Sequence, residues 1–338
     1  MTDLTAAPKS HPVTRLTALW ALNECGLGGL MFALKIPLTG IFVGGFALIL
    51  IGLIAHYSGN NHKQLFRATV LVLIAKATVS PHSPPPAYLA VAFQGFLGAL
   101  LYSSIRNFTF ASVLLSIIAM AESALQKLIV LTLIYGKSLW IALNKLYENI
   151  AHDFALPATF TFSYVLIALY LLLYIFWGIL VGLFTARLPR LIRNHTATIL
   201  AFYRQDKEML PEVKTKTPGH SKGRRWAGFG LILVFIILVF GFSNQYKDYA
   251  ILYVIARSLA AVFLLFFVLR PVLTWLIRHW LSNRDEATRQ GAAEIIGMMP
   301  SLRRFLKPSW QLATLHAKRT GRLRYFILSM VIFTLNEK

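Results

Sequence analysis

The sequence is dominated by recurring apolar runs of about membrane length, separated by polar or proline-rich stretches. A run of about 20 apolar residues can cross the hydrocarbon core of a bilayer as an α-helix. Charged residues make up only 14% of the 338-residue chain, whereas a typical soluble domain has about 25%. We therefore expect an all-α fold, that of a polytopic helical membrane protein.

Eight of these runs are candidate membrane spans. Six lie at about residues 16–34, 37–56, 64–80, 87–103, 108–136 and 158–186, and two lie at about 226–243 and 249–270. The pattern predicts a six-span bundle (1–190), a basic cytoplasmic linker (191–225) and a two-span unit with a basic tail (226–338). The tail holds two amphipathic stretches, 284–299 and 301–320, which we expect to contact lipid or a protein partner.

The basic residues predict how the spans are oriented. The chain has a net charge of +21, and most of its 34 Lys and Arg residues fall in the linker, the tail and the loops on the same side as the N-terminus. The opposite loops hold only Lys35, Lys76, Lys137, Lys145 and Lys247. Because cytoplasmic loops retain positive charge, we expect an inner-membrane protein with both termini in the cytoplasm. We interpret the charge as facing anionic lipid headgroups, not nucleic acid.

Small residues recur every four positions along the first span. They lie on nearly one helical face, which comprises Thr17, Ala21, Cys25, Gly29 and Ala33. Small side chains let another helix approach closely within a membrane. The face therefore packs inside the bundle or docks another membrane subunit, and the sequence leaves both alternatives open.

Polar residues inside the apolar runs are the candidate functional groups. Glu24 in the first span needs a partner or a water-filled cavity, and Lys35, Lys76 and Lys127 are candidate partners. Its role is a structural ion pair, a ligand contact or a proton relay. A second cluster interrupts the fifth span. Together with Gln94 in the fourth span, the two regions predict a substrate-binding set of Asn23, Glu24, Gln94, Glu122, Gln126 and Lys127, which suits a small polar or zwitterionic ligand in an apolar pocket.

Sequence motifs give no indication of catalysis. There is no Walker A sequence, no G-x-S-x-G and no H-E-x-x-H. The single cysteine, Cys25, excludes a disulfide framework and a cysteine metal cluster. We expect no enzyme activity, no cofactor and no metal.

Three features appear in order along the chain: a small-residue face on the first helix, the stretch KIPLTGIFVGGF and a polar cluster late in the bundle. This arrangement resembles the substrate-binding S components of energy-coupling-factor transporters. The resemblance covers about residues 14–190. It implies a first helix that docks on a coupling subunit, a substrate site built by later helices, and ATPase subunits as partners.

These observations favour a membrane transport protein that binds a small organic solute in its six-span bundle and depends on partner subunits for energy. The alternative is a non-catalytic membrane scaffold or accessory subunit, in which the small-residue face and the basic tail are both partner surfaces. A lipid-handling membrane enzyme is a third possibility.

Overall fold

A computed structural model describes residues 12–34, 38–80, 83–153, 161–206, 272, 275, 286–317 and 321–336. The expected spans at 226–243 and 249–270 lie outside these residues, as do Lys35 and most of the predicted linker. The described part of the chain is all-helical.

Eleven α-helices and two π-helical segments make up the described structure. The α-helices are α1 (Pro12–Leu22), α2 (Gly28–Ala33), α3 (Gly45–Tyr57), α4 (His62–Val79), α5 (Pro85–Ser104), α6 (Phe108–Tyr135), α7 (Lys137–Asp153), α8 (Phe162–Asp206), α9 (Glu286–Arg303), α10 (Leu306–His316) and α11 (Arg322–Asn336). The π-helical segments are π1 (Asn23–Leu27) and π2 (Gly40–Gly44). The first predicted span is thus a composite of α1, π1 and α2.

Local signals place several helix ends. The Asn61 side chain accepts a hydrogen bond from the Lys63 amide at 3.0 Å, and the Asn107 side chain accepts one from the Phe110 amide at 3.1 Å. Each satisfies a backbone donor that the first helical turn leaves free. Helix α6 ends at Gly136, whose φ of 69° is easily adopted only by glycine.

Within the described residues, four helical stretches are long and apolar enough to cross a membrane. They are Gly40–Tyr57, Pro85–Ser104, Phe108–Tyr135 and Phe162–Tyr203. Helix α4, which coincides with the third predicted span, carries the charges of Lys63, Arg67 and Lys76. The structure therefore supports a membrane-embedded protein, while the predicted count of six spans plus two is not reproduced in the described residues.

The first half of α8 presents a broad apolar surface. Leu169, Leu172 and Phe176 are 64%, 60% and 59% exposed. In water such a surface would be an aggregation hazard, whereas acyl chains would solvate it at no cost. This exposed apolar face is compatible with a membrane-embedded protein.

Helices α6 and α8 pack with their backbones in close contact. Gly178 and Gly182 lie four residues apart on α8, and a Cβ on either would fall within 3 Å of α6 backbone atoms. Ser116 and Val113 provide those atoms. The pair is a G-x-x-x-G motif, the spacing that lets membrane helices approach closely.

Helix α8 runs on past the span predicted at about 158–186 as a single helix of 45 residues that contains Pro189. Residues 191–206, the described part of the expected linker at 191–225, are helical. Ile192 and Ile199, seven residues apart, are buried. The ring of Tyr203 lies 4.5 Å from that of Phe333 on α11. Packing against the C-terminal helices therefore stabilises this extension.

The C-terminal helices form part of the protein core. Helix α9 packs on α1 and α4, and α11 packs on α8, α10 and α1. The apolar run Tyr325 to Leu335 lies in α11, where every residue from Ile327 to Thr334 is buried. The described parts of the two tail stretches are helical; α9 docks on α1 and α4, and α10 packs on α11.

One end of the bundle collects a group of basic residues. Arg15 at the start of α1 donates to the backbone oxygen of Leu335 at 3.0 Å. Arg67 in the first turns of α4 donates to the backbone oxygen of Ala287 at 3.3 Å. We call this the basic end, defined by Arg15, Lys63, Arg67 and the helices α9–α11. It brings the start and the end of the described chain together.

Candidate functional site

The candidate site is built around the two π-helical segments, which face each other. A π-helical turn holds one extra residue, so some backbone carbonyls lose their usual partners; such turns are frequent at functional sites. The Asn23 side-chain amide donates to the backbone oxygen of Val43 at 3.0 Å. This hydrogen bond ties π1 to π2 in the interior of the bundle.

A buried ion pair lies directly beside this link. Lys76 Nζ is 2.7 Å from Glu24 Oε2, and their side chains are only 4% and 5% exposed. Lys76 also donates to the backbone oxygen of Ala87 at 3.3 Å and lies 5.9 Å from the ring centroid of Tyr88. Of the partners that the sequence offered for Glu24, Lys76 is the one that the structure selects.

Two buried amide oxygens in this region lack a hydrogen-bond donor. Asn23 Oδ1 and Gln94 Oε1 have no hydrogen-bond partner in the structure. Asn23 is only 3% exposed and Gln94 only 2% exposed. The Gln94 amide nitrogen lies 3.4 Å from the position of a Cβ on Gly44, so Gln94 contacts π2 beside Val43. A buried acceptor without a donor costs about 1–3 kcal/mol, and the cost disappears when a donor binds there.

Helices α6 and α8 enclose the other side of π2. The indole nitrogen of Trp177 donates to the backbone oxygen of Ile41 at 3.1 Å. Near Gly40 lie the hydroxyl of Tyr174 and the Cβ of Ser123. Groups from π1, α5, α6 and α8 therefore meet at one five-residue segment.

Trp177 and Tyr174 were not among the residues predicted from the sequence. Their signal was present, because both are aromatic residues with a polar tip in the middle of an otherwise apolar run. Such residues usually find a hydrogen-bond partner when they are buried. Tyr174 receives a hydrogen bond from Tyr170 at 3.1 Å.

The predicted cluster on α6 makes no described hydrogen bond to the ion pair. Glu122 is half-buried and its Oε2 atom has no hydrogen-bond partner. Gln126 is half-buried, and Lys127 is exposed. Among the described hydrogen bonds, none links these three residues to Asn23, Glu24 or Gln94. Of the predicted set, Asn23 and Glu24 are consecutive residues of π1, and Asn23 and Gln94 both contact π2.

The small-residue face is buried at its start and more open further along. Thr17 and Ala21 are buried within the bundle, and the Thr17 hydroxyl donates to the Val13 backbone oxygen at 2.7 Å. Cys25 and Gly29 are half-buried, while the side chain of Ala33 lies outside the described residues. The first part of the face therefore packs internally.

Comparisons with protein-family models, with curated proteins and with solved structures find no match to this chain.

Proposed function

We propose that this protein is an integral membrane transport protein that binds a small polar or zwitterionic solute beside π2. The observation that carries the proposal is a pair of buried, unpartnered acceptors, Asn23 Oδ1 on π1 and Gln94 Oε1 on α5; both side chains contact π2. A solute with N–H or O–H donors would satisfy both oxygens. Specific sites combine an apolar lining with a few convergent polar groups in this way.

The neighbouring ion pair gives the site further chemistry. Glu24 and Lys76 neutralise each other when paired, so their burial is tolerated without a ligand. A zwitterionic solute offers one group of each charge and could exchange partners with the pair. This exchange would couple solute binding to the packing of α4 against π1.

The π-helical segments would allow the backbone around π2 to rearrange. A π-helical turn differs from an α-helical turn by one residue, and mid-helix irregularities of this kind often mark hinges. Asn23 holds the Val43 oxygen and Trp177 holds the Ile41 oxygen. In our proposal, a solute that accepts a hydrogen bond from the Asn23 side-chain amide breaks the hydrogen bond between Asn23 and the Val43 backbone oxygen, and π2 can then rearrange.

We further propose that the basic end faces the cytoplasm. The positive charge supports this orientation. Arg15 and Leu335 are hydrogen-bonded and so lie at the same end of the bundle, which supports an even number of membrane crossings between these two residues. The chain carries no nucleotide-binding motif, so energised transport would depend on ATPase subunits, as in the S components that it resembles. The protein itself would act without catalysis.

Gln94→Met tests the proposal. Methionine keeps the length of the side chain and removes the unpartnered oxygen, so the variant should be more thermostable than the parent by a few degrees in detergent without solute. Mass spectrometry should detect a bound small molecule in the parent purified from its native membrane, and it should not detect that molecule in the variant. Gln64→Met is the control, since Gln64 is exposed and its replacement should change neither property. A Gln94→Met protein that retains the parent's bound molecule would contradict the proposed site.

The alternative function is a membrane scaffold or accessory subunit. It is favoured by exposed apolar side chains on α10, where Trp310 is 51% and Leu315 is 69% exposed. Co-purification separates the two functions. A nucleotide-binding partner supports transport, whereas a large assembly without an ATPase supports the scaffold.

A further inference from the structure

A groove lies between α4 and α5 at the basic end, away from the polar centre. Its volume is about 350 Å³, and its lining residues are His62, Lys63, Phe66, Ala99, Leu100 and Ser103. Because α4 begins where α5 ends, the groove spans the point where the apolar stretch Pro85–Ser104 gives way to polar chain. It therefore sits at the level of the lipid headgroups.

The apolar part of the groove faces outward. Phe66 is 44% exposed and Leu100 is 61% exposed. The ring of Phe66 stacks on that of Phe96 at a centroid distance of 4.9 Å and an angle of 27°. Phe96 is one helical turn further into the span than Leu100. These side chains form a continuous apolar strip that runs from the groove toward the bilayer centre.

The polar part of the groove is basic. His62 and Lys63 lie at its outer edge, both are exposed, and no carboxylate lines the groove. The Lys63 backbone amide is already satisfied by the Asn61 side chain, so the capping of α4 does not involve the Lys63 ammonium group. A basic edge above an apolar strip at the membrane boundary complements an anionic headgroup above an acyl chain.

We infer that this groove binds one anionic phospholipid, with its phosphate against Lys63 and His62 and an acyl chain along Phe66, Phe96 and Leu100. A zwitterionic lipid with the same chains lacks the net negative charge and binds more weakly. This site is independent of the solute site, since it involves none of the residues around π2. Its occupant would brace α4 against α5 at the end opposite the Glu24–Lys76 pair.

The test is native mass spectrometry of the full chain in detergent, titrated separately with palmitoyl-oleoyl phosphatidylglycerol and palmitoyl-oleoyl phosphatidylcholine. The first phosphatidylglycerol should bind several-fold more tightly than the first phosphatidylcholine. Lys63→Gln should weaken phosphatidylglycerol binding about fivefold, the effect expected for one basic residue near a lipid surface. It should leave phosphatidylcholine binding unchanged. Leu100→Asn should weaken the binding of both lipids, since it interrupts the apolar strip.

Lys145→Gln is the matched control. Lys145 is an exposed lysine on α7, and α7 follows the far end of α6, so it lies at the opposite end of the bundle. This variant should bind both lipids as the parent does. Equal affinity of the parent for the two lipids would overturn the inference. An equal loss in Lys63→Gln and Lys145→Gln would also overturn it, since the attraction would then come from net charge and not from the groove.

Discussion

Removing one partner of the Glu24–Lys76 pair should strongly destabilise the protein. At the observed separation of 2.7 Å, the Coulomb attraction is about 6 kcal/mol at an effective dielectric constant of 20. Part of this attraction offsets the desolvation of two groups that are each about 95% buried. When one partner is lost, the other becomes an uncompensated buried charge, and the expected loss in the free energy of unfolding is about 3–5 kcal/mol.

A double-mutant cycle separates the interaction energy of the Glu24–Lys76 pair from the individual contributions of the two side chains. Lys76→Met and Glu24→Leu should each lower the free energy of unfolding by this amount. The double variant should fall within about 1–2 kcal/mol of the parent, because apolar residues of similar size commonly replace a buried pair at little cost. Lys127→Met is the control and should change the free energy by less than about 0.5 kcal/mol, since Lys127 is exposed.

The assay is unfolding by sodium dodecyl sulfate in a mild non-ionic detergent, followed by far-ultraviolet circular dichroism. Each variant should give a cooperative transition, from which the free energy of unfolding is extrapolated. Additive losses in the double variant would refute the reasoning, because they would mean that the two side chains are stabilised by different neighbours. Single variants that match the Lys127 control would refute it as well.

Two further predictions concern packing. Gly182→Ala should destabilise the protein by about 1–3 kcal/mol, because the added Cβ would lie 2.5 Å from Val113 Cα. Gly297→Ala is the control and should be neutral or slightly stabilising, because the space around Gly297 is open. Equal thermal midpoints for the two variants would contradict the α6–α8 contact. Arg15→Met removes the hydrogen bond to Leu335 and should speed hydrogen–deuterium exchange in α11 severalfold. Arg303→Met is the control and should leave this exchange rate unchanged, because Arg303 is exposed. An unchanged exchange rate in both variants would show that α11 does not depend on Arg15.

The sequence predicted the apolar helices well because hydropathy follows directly from composition. The span expected at about 87–103 corresponds to Pro85–Ser104, and the one expected at about 108–136 corresponds to Phe108–Tyr135. The extension of α8 beyond Pro189 was not predicted. A proline and a run of arginines are typical of a helix end, and the burial of Ile192 and Ile199 in the core offsets that tendency.

The candidate site was predictable in part for a related reason. Asn23, Glu24 and Gln94 stood out because polar residues are rare in membrane-length runs. The choice of Lys76 over Lys127 as the partner of Glu24 depends on the packing of α1 against α4, which is set by tertiary contacts and not by local pattern. The π-helical turns were also hidden, because one inserted residue hardly changes the hydropathy of a helix.

The most direct test of the account is a density map of the protein purified from its native membrane. The account predicts non-protein density, larger than a water molecule, within hydrogen-bond distance of Asn23 Oδ1 and Gln94 Oε1. The Glu24–Lys76 pair should lie beside this density. A map in which both amide oxygens accept hydrogen bonds from the protein itself, with no room for a solute beside π2, would contradict it.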